Sequence, residues 1–234
     1  MNSLVSWVRR SGLILAPLLL AGGAARAGTL LHQYDFNGSV TDSAGSMNGT
    51  LFNGATASGG ALSLNGSSQY AQLSGFAIPT QNFSITFDAT ILGYTVGGYN
   101  EMISQGSSGA PGFYIGLAND FFRLGDAVGS TAVQAPTDGK QHAYELISSA
   151  TGTQFYIDTA LVFSSATAAT APQSGTNTQF GAQFGGFGEY FDGSIASVAI
   201  YSGLPATVPE PAGWALLGVA GLALARLRRR APTA

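Results

Sequence analysis

The stretch Phe83-Ser84-Ile85-Thr86-Phe87-Asp88-Ala89-Thr90-Ile91 sets an apolar residue at every odd position and a polar or small one at every even position. That period of two is the mark of a strand with one face on a core and one toward water, as antiparallel sheets have. The same alternation recurs in Leu30-His32-Tyr34-Phe36, Leu62-Leu64, Phe113-Ile115-Leu117, His142-Tyr144-Leu146, Phe155-Ile157 and Ala196-Val198-Ile200. No internal stretch sustains a 3.6-residue period. Between the runs lie Asn37-Gly38, Asn48-Gly49, Asn53-Gly54, Asn65-Gly66, Asp138-Gly139 and Asp192-Gly193, pairs that tolerate positive φ and favour tight turns. Many short strands joined by such turns predict an all-β sandwich or barrel. Ser164 to Thr178, rich in Ser, Thr, Ala and Gly, reads as a long surface connection.

The ends of the 234-residue chain differ from this middle. Arg9 and Arg10 precede a 13-residue apolar run, Leu13 to Ala25, which is short of the ~20 residues a spanning helix needs. Ala25 and Ala27 supply the small residues a signal peptidase reads, so residues 1–27 are expected to be a signal peptide cut before Gly28. At the other end, Val208-Pro209-Glu210-Pro211 leads into fourteen small or apolar residues, Ala212 to Ala225, and then a basic cluster containing Arg226, Arg228, Arg229 and Arg230. Fourteen helical residues span only about 21 Å of a ~30 Å hydrocarbon core, which suits transient insertion better than permanent anchorage. The arginines favour the cytoplasmic side.

With both ends set aside, residues 28–207 keep Arg123 and Lys140 against eleven carboxylates, a net charge of −9. Nucleic acid, bound chiefly through neutralised phosphates, is excluded as a partner. The chain has no cysteine, so the exported fold has neither disulfides nor thiolate metal sites. About 180 residues support one unstapled core, hence one domain.

Three segments resemble the laminin-G-like, concanavalin A-like jelly-roll family. They are His32-Gln33-Tyr34-Asp35-Phe36 with Asp42-Ser43-Ala44-Gly45 and Asn48-Gly49-Thr50; Gly60 to Gly66 with Tyr70 and the Phe83–Ile91 strand; and Phe155-Tyr156-Ile157-Asp158 with Phe191-Asp192-Gly193-Ser194-Ile195 leading to Tyr201. The resemblance implies two antiparallel sheets packed face to face over residues 28–207, with a sugar- or protein-binding role and sometimes a structural calcium. Ala196 and Ser197 stand where that family commonly has an acidic pair, so the hard oxygen ligands calcium wants are missing there and no cofactor is firmly implied. The tail from 208 to 230 is similar to the PEP-CTERM sorting signal of Gram-negative bacteria. That likeness implies a short hydrophobic helix, an exosortase-type membrane protease as partner, and delivery to the cell surface or an exopolysaccharide matrix, as in a biofilm.

Little in the sequence points to catalysis. Glycosidases of this architecture carry a Glu-x-Asp-x-x-Glu strand that is absent, and the glutamates of the middle, Glu101, Glu145 and Glu189, are well separated. His32 and His142 sit in strand patterns, and there is no Gly-x-Ser-x-Gly elbow. The expectation is therefore no enzyme, but a non-catalytic surface or matrix module with carbohydrate as the candidate ligand. The alternatives are a calcium-assisted lectin-like protein and a polysaccharide-degrading enzyme. Tyr94, Tyr99, Phe187 and Tyr190 are the candidate ligand-binding residues, since sugar rings stack on aromatic faces while Asp and Asn take the hydroxyls.

Overall fold

A computed structural model describes residues 28–107, 112–186 and 188–203. The signal peptide expected through Ala27, the sorting tail from Val208 with its apolar segment and arginines, and Phe187 lie outside the described residues. No helix among the described residues is long and apolar enough to cross a membrane.

In chain order the strands are β1 (Thr29–Tyr34), β2 (Gly49–Phe52), β3 (Thr56–Ser58), β4 (Ala61–Asn65), β5 (Tyr70–Leu73), β6 (Phe83–Gly93), β7 (Tyr99–Gly106), β8 (Phe113–Ala118), β9 (Phe121–Leu124), β10 (Ser130–Gln134), β11 (Gln141–Ser149), β12 (Gly152–Ile157), β13 (Ala160–Ser165), β14 (Thr176–Phe180) and β15 (Asp192–Ser202). A single helical turn, α1 (Gly125–Val128), separates β9 from β10. The strands form two antiparallel sheets, consistent with the jelly-roll sandwich that the family resemblance implies. One is seven-stranded, in the order β10-β9-β8-β7-β14-β5-β2; the other is eight-stranded, in the order β13-β12-β11-β6-β15-β4-β3, with β1 also on β15. The first half of β15 pairs with β4 and its second half with β1, while β6 runs along its other side.

The core fills the space between the sheets. Phe83, Ile85, Phe87, Ala89 and Ile91 of β6 are at most 2% exposed, so the deciding stretch keeps its predicted phase. Ser84 is buried as well, because its hydroxyl donates to the Gly203 carbonyl. Facing them, Phe113, Ile115 and Leu117 of β8 and Phe122 and Leu124 of β9 are fully buried. Phe122 meets Phe155 at 4.9 Å between ring centres, and Phe83 meets Phe113 edge-on at 5.3 Å, arrangements aromatic quadrupoles favour.

The structure corrects three local readings. The expected alternation Ala196-Val198-Ile200 is broken by a bulge: Ala196 pairs with Asp88 and Ala199 with Thr86, and Ser197 takes φ +50°. One extra residue reverses the phase, so Ile195 and Val198 both point inward and Ala196 outward. Asn48-Gly49 and Asp192-Gly193 begin strands instead of making turns, whereas Asn53-Gly54, at φ +54° and +81°, makes a tight turn as predicted, closed by the Ala55 N–H donating to the Phe52 carbonyl at 3.0 Å, and carries the chain from one sheet to the other. The 164–178 connection is shorter than expected, since β13 continues to Ser165 and β14 starts at Thr176. It is not purely superficial: Ala169 and Ala171 are fully buried, and the Ala169 carbonyl accepts from the Ser148 hydroxyl.

Candidate functional site

The outer face of the seven-stranded sheet, turned away from the core, brings together the chemistry the sequence scatters. Register decides which side chains share it. Tyr99, Ala118 and Phe121 lie on one rung across β7, β8 and β9; Glu101, Gly116 and Arg123 lie on the next. Tyr99 is 46% and Phe121 40% exposed. The small Ala118 between them leaves two aromatic faces two strand spacings apart, roughly 9.5 Å.

Arg123 organises the second rung. Its guanidinium lies 4.0 Å from the ring centre of Tyr99 and 3.9 Å from that of Tyr114, stacked between the two. Its Nη2 is 2.5 Å from Glu101 Oε1 and 3.1 Å from Glu189 Oε2. The contact to Glu189 is a hydrogen bond, donated by the guanidinium. The one to Glu101 is close but not aligned as a hydrogen bond, so both Glu101 oxygens and Arg123 Nε stay without a directed partner. Gly116 makes this packing possible, because a Cβ there would overlap the Glu101 carboxylate and come within 2.7 Å of the Asn100 carbonyl.

Glu101 is fully buried, and burial pushes its carboxyl well above the ordinary value of 4.5; Arg123 opposes that rise and the adjacent Glu189 adds to it. The Tyr114 phenol is raised by burial and by its hydrogen bond to Asp126 Oδ1 at 2.5 Å. The segment over the cluster is held by the Glu101 N–H donating to the Glu189 carbonyl at 2.7 Å and by Asn100 Nδ2 donating to the Tyr190 carbonyl at 2.6 Å.

Of the residues expected to bind ligand, Tyr99 stands on the exposed rung. Tyr94 is 39% exposed, in the segment after β6, which the Thr95 N–H ties to Asn100 Oδ1 at 2.7 Å. Tyr190 is half-buried, with its hydroxyl donating to the Gly186 carbonyl and its ring 6.4 Å from Tyr70. Thus Asn100 links the Tyr94 segment, the Tyr99 strand and Tyr190. Sequence reasoning missed Glu101, Tyr114, Phe121 and Arg123. The available signal was Arg123 itself, a lone arginine inside an apolar strand in a stretch with one other basic residue.

The histidines are structural. His32 Nδ1 is 2.6 Å from Asp42 Oδ2, and Asp42 also accepts from the backbone of Gln33, Gly45 and Met47. His142 lies 2.6 Å from Asp158 and 3.1 Å from Asp138. Among the described residues, no three or more His, Cys, Asp or Glu side chains gather so as to hold a metal ion.

Two antiparallel sheets packed face to face define an all-β sandwich. A family model described as the concanavalin A-like lectin/glucanases superfamily matches residues 65–206, and the chain belongs to that family. No curated protein matches it in sequence. Among solved structures, it is similar to domain 4 of AbnA, a GH43 extracellular arabinanase from Geobacillus stearothermophilus in complex with arabinotriose, at 20% identity and a TM-score of 0.58 over 76% of this chain and 94% of that one. It is also similar to Trypanosoma rangeli sialidase in complex with sialic acid (13%, TM-score 0.56, 74% of this chain and 31% of that one). The binding domain of botulinum neurotoxin serotype D follows (10%, TM-score 0.50, 75% of this chain and 48% of that one). These likenesses show the fold. They also correct the expectation that the chain is not an enzyme: the fold recurs in chains of an arabinanase and a sialidase as well as in a toxin binding domain, so the architecture leaves catalysis open. Glu101 and Glu189, well separated in sequence, meet in space at Arg123.

Proposed function

We propose that the chain is an exported protein whose concanavalin A-like domain holds carbohydrate against the outer face of the seven-stranded sheet. The observation that carries this reading is the rung Tyr99–Ala118–Phe121: two exposed rings flank a small residue, and one of them is braced from behind by Arg123. Flat apolar faces take the faces of sugar rings, and the partly exposed Glu189 carboxylate beside them accepts hydroxyls. The arabinanase domain's complex with arabinotriose supports the reading from within the same fold.

On this reading the Val208–Pro211 motif is recognised by an exosortase-type protease, the apolar tail inserts briefly and is removed, and the domain is left at the cell surface or in an exopolysaccharide matrix. Titration of the protein against a panel of neutral polysaccharides tests the binding face. Tyr99→Ala and Phe121→Ala are each expected to weaken binding about fivefold or more. Unchanged affinity in both variants overturns the assignment of the face. Mass spectrometry of the exported protein tests the sorting claim, which fails if the mature form retains residues 212–234. Reducing-sugar release from the same panel decides whether bound glycan is also cleaved.

A further inference from the structure

The eight-stranded sheet has an outer face of its own, and a cavity of about 230 Å³ opens on it. Register explains the hollow. On β6 and β11, Asp88 sits opposite Ala143 and Thr86 opposite Glu145, so two carboxylates occupy one diagonal and two small side chains the other. Across β15 the bulge sets Ala196 beside Asp88 and Ala199 beside Thr86, which keeps that flank low as well. Tyr156 pairs with Glu145 and forms one wall; Thr159, held at φ +70° in the β12–β13 turn, forms part of the rim.

The charges here are unbalanced. Lys140 pairs with Asp138, and His142 with Asp138 and Asp158, but neither Asp88 nor Glu145 forms an ion pair among the described residues. Burial pushes both carboxyls above their ordinary values, with Asp158 adding to the rise at Asp88. Two partly desolvated carboxylates beside an aromatic wall, in a hollow the size of one sugar ring, call for a cation with an apolar body.

We propose that this cavity is a second binding site, one that takes a sugar ring bearing a free amine, with the ammonium between Asp88 and Glu145 and the ring against Tyr156. The inference rests on the reading that the protein binds glycans, and it names a chemistry and a face which that reading does not.

The test is calorimetric titration of the protein with the tetramer of β-1,4-linked glucosamine and with its fully N-acetylated counterpart. The free-amine tetramer is expected to bind about tenfold more tightly or better, and the Asp88→Asn/Glu145→Gln double variant to erase that preference while keeping its melting temperature. Carboxyl-detected NMR of the unaltered protein gives a readout independent of variants: the Asp88 and Glu145 resonances move on addition of the amine. Equal affinity for the two tetramers overturns the proposal. So does an amine preference that survives the double variant, since the attraction then belongs to the acidic domain as a whole, and so does a response of the two carboxylates to calcium but not to the amine. Because the variants of the seven-stranded sheet report on neutral glycans, failure of this site and failure of the first are read separately.

Discussion

Replacing Arg123 by Met should destabilise the domain in a pH-dependent way. The variant keeps an unbranched apolar stem between Tyr99 and Tyr114 but removes the charge lying 2.5 Å from Glu101 and 3.1 Å from Glu189. Removing one partner of a buried ion pair costs about 3–5 kcal/mol when the other is left charged. Glu101 can escape that cost by taking a proton, since burial already raises its carboxyl and Arg123 is the group that opposes the rise. A carboxyl whose folded-state value is raised contributes stability that is present below its unfolded value, 4.5, and is lost as pH rises through the folded value. In the variant the raised value climbs further, so the loss relative to the unaltered protein is largest at high pH. The expected difference is about 3 kcal/mol or more at pH 8, a fall in melting temperature of roughly 6–12 °C, and about 1 kcal/mol at pH 4.5, where stacking alone is lost. Urea denaturation followed by circular dichroism at the two pH values measures both. A second substitution, Glu101→Gln, should recover most of the loss at pH 8. A loss independent of pH, or a double variant no more stable than the single one, refutes the reasoning.

Other perturbations have equally definite outcomes. Gly116→Ala forces the Glu101 carboxylate off its place beside Arg123 and should cost about 2 kcal/mol in the same denaturation experiment; an unchanged midpoint counts against the packing described. Burial alone would raise the Asp42 carboxyl, but hydrogen bonds from His32 and the Met47, Gly45 and Gln33 backbone outweigh it and hold it at about 2 against an ordinary 3.8. Its contribution, about 2 kcal/mol, is therefore present above pH 3.8 and lost as pH falls toward 2, and Asp42→Ala should flatten that part of the stability profile. The hydrogen bond that the His142 ring donates to Asp158, with a further one to Asp138, holds the ring above its ordinary 6.5. Asp158→Asn should lower the midpoint of the His142 titration seen by NMR, and an unmoved midpoint contradicts the pairing.

The sandwich was legible because β6 and β8 obey a period of two that buries Phe83 through Ile91 and Phe113 through Leu117 as read. The bulge at Ala196–Ala199 was not, since nothing in Ala-Ser-Val-Ala announces that Ser197 takes a positive φ; the partner strand imposes it. Tyr94 and Tyr99, read as candidate ligand-binding residues, are both exposed, Tyr94 after β6 and Tyr99 at the start of β7. The meeting of Glu101, Arg123 and Glu189 was hidden because it depends on β7 lying beside β8 and β8 beside β9, and on the final loop folding back over them. Asp88 and Glu145 were likewise separate residues until the antiparallel register of β6 with β11 set them on one diagonal.

The placement of β15 bears on how the protein comes to exist. This last described strand is the spine of its sheet, flanked by β6 on one side and by β4 and β1 on the other, so three strands wait for an interior neighbour that is synthesised after all of them. Pairing of such sequence-distant strands is slow to nucleate, and the open edges of the waiting strands invite wrong partners in the meantime. Completion of the sheet is thus a check on full-length synthesis: a chain truncated before Asp192 has lost the strand that joins its first element to the rest. Because β1 ends up against the C-terminal half of β15, the two routes of chain into and out of the domain lie side by side, as the rim of a purse closes on one drawstring.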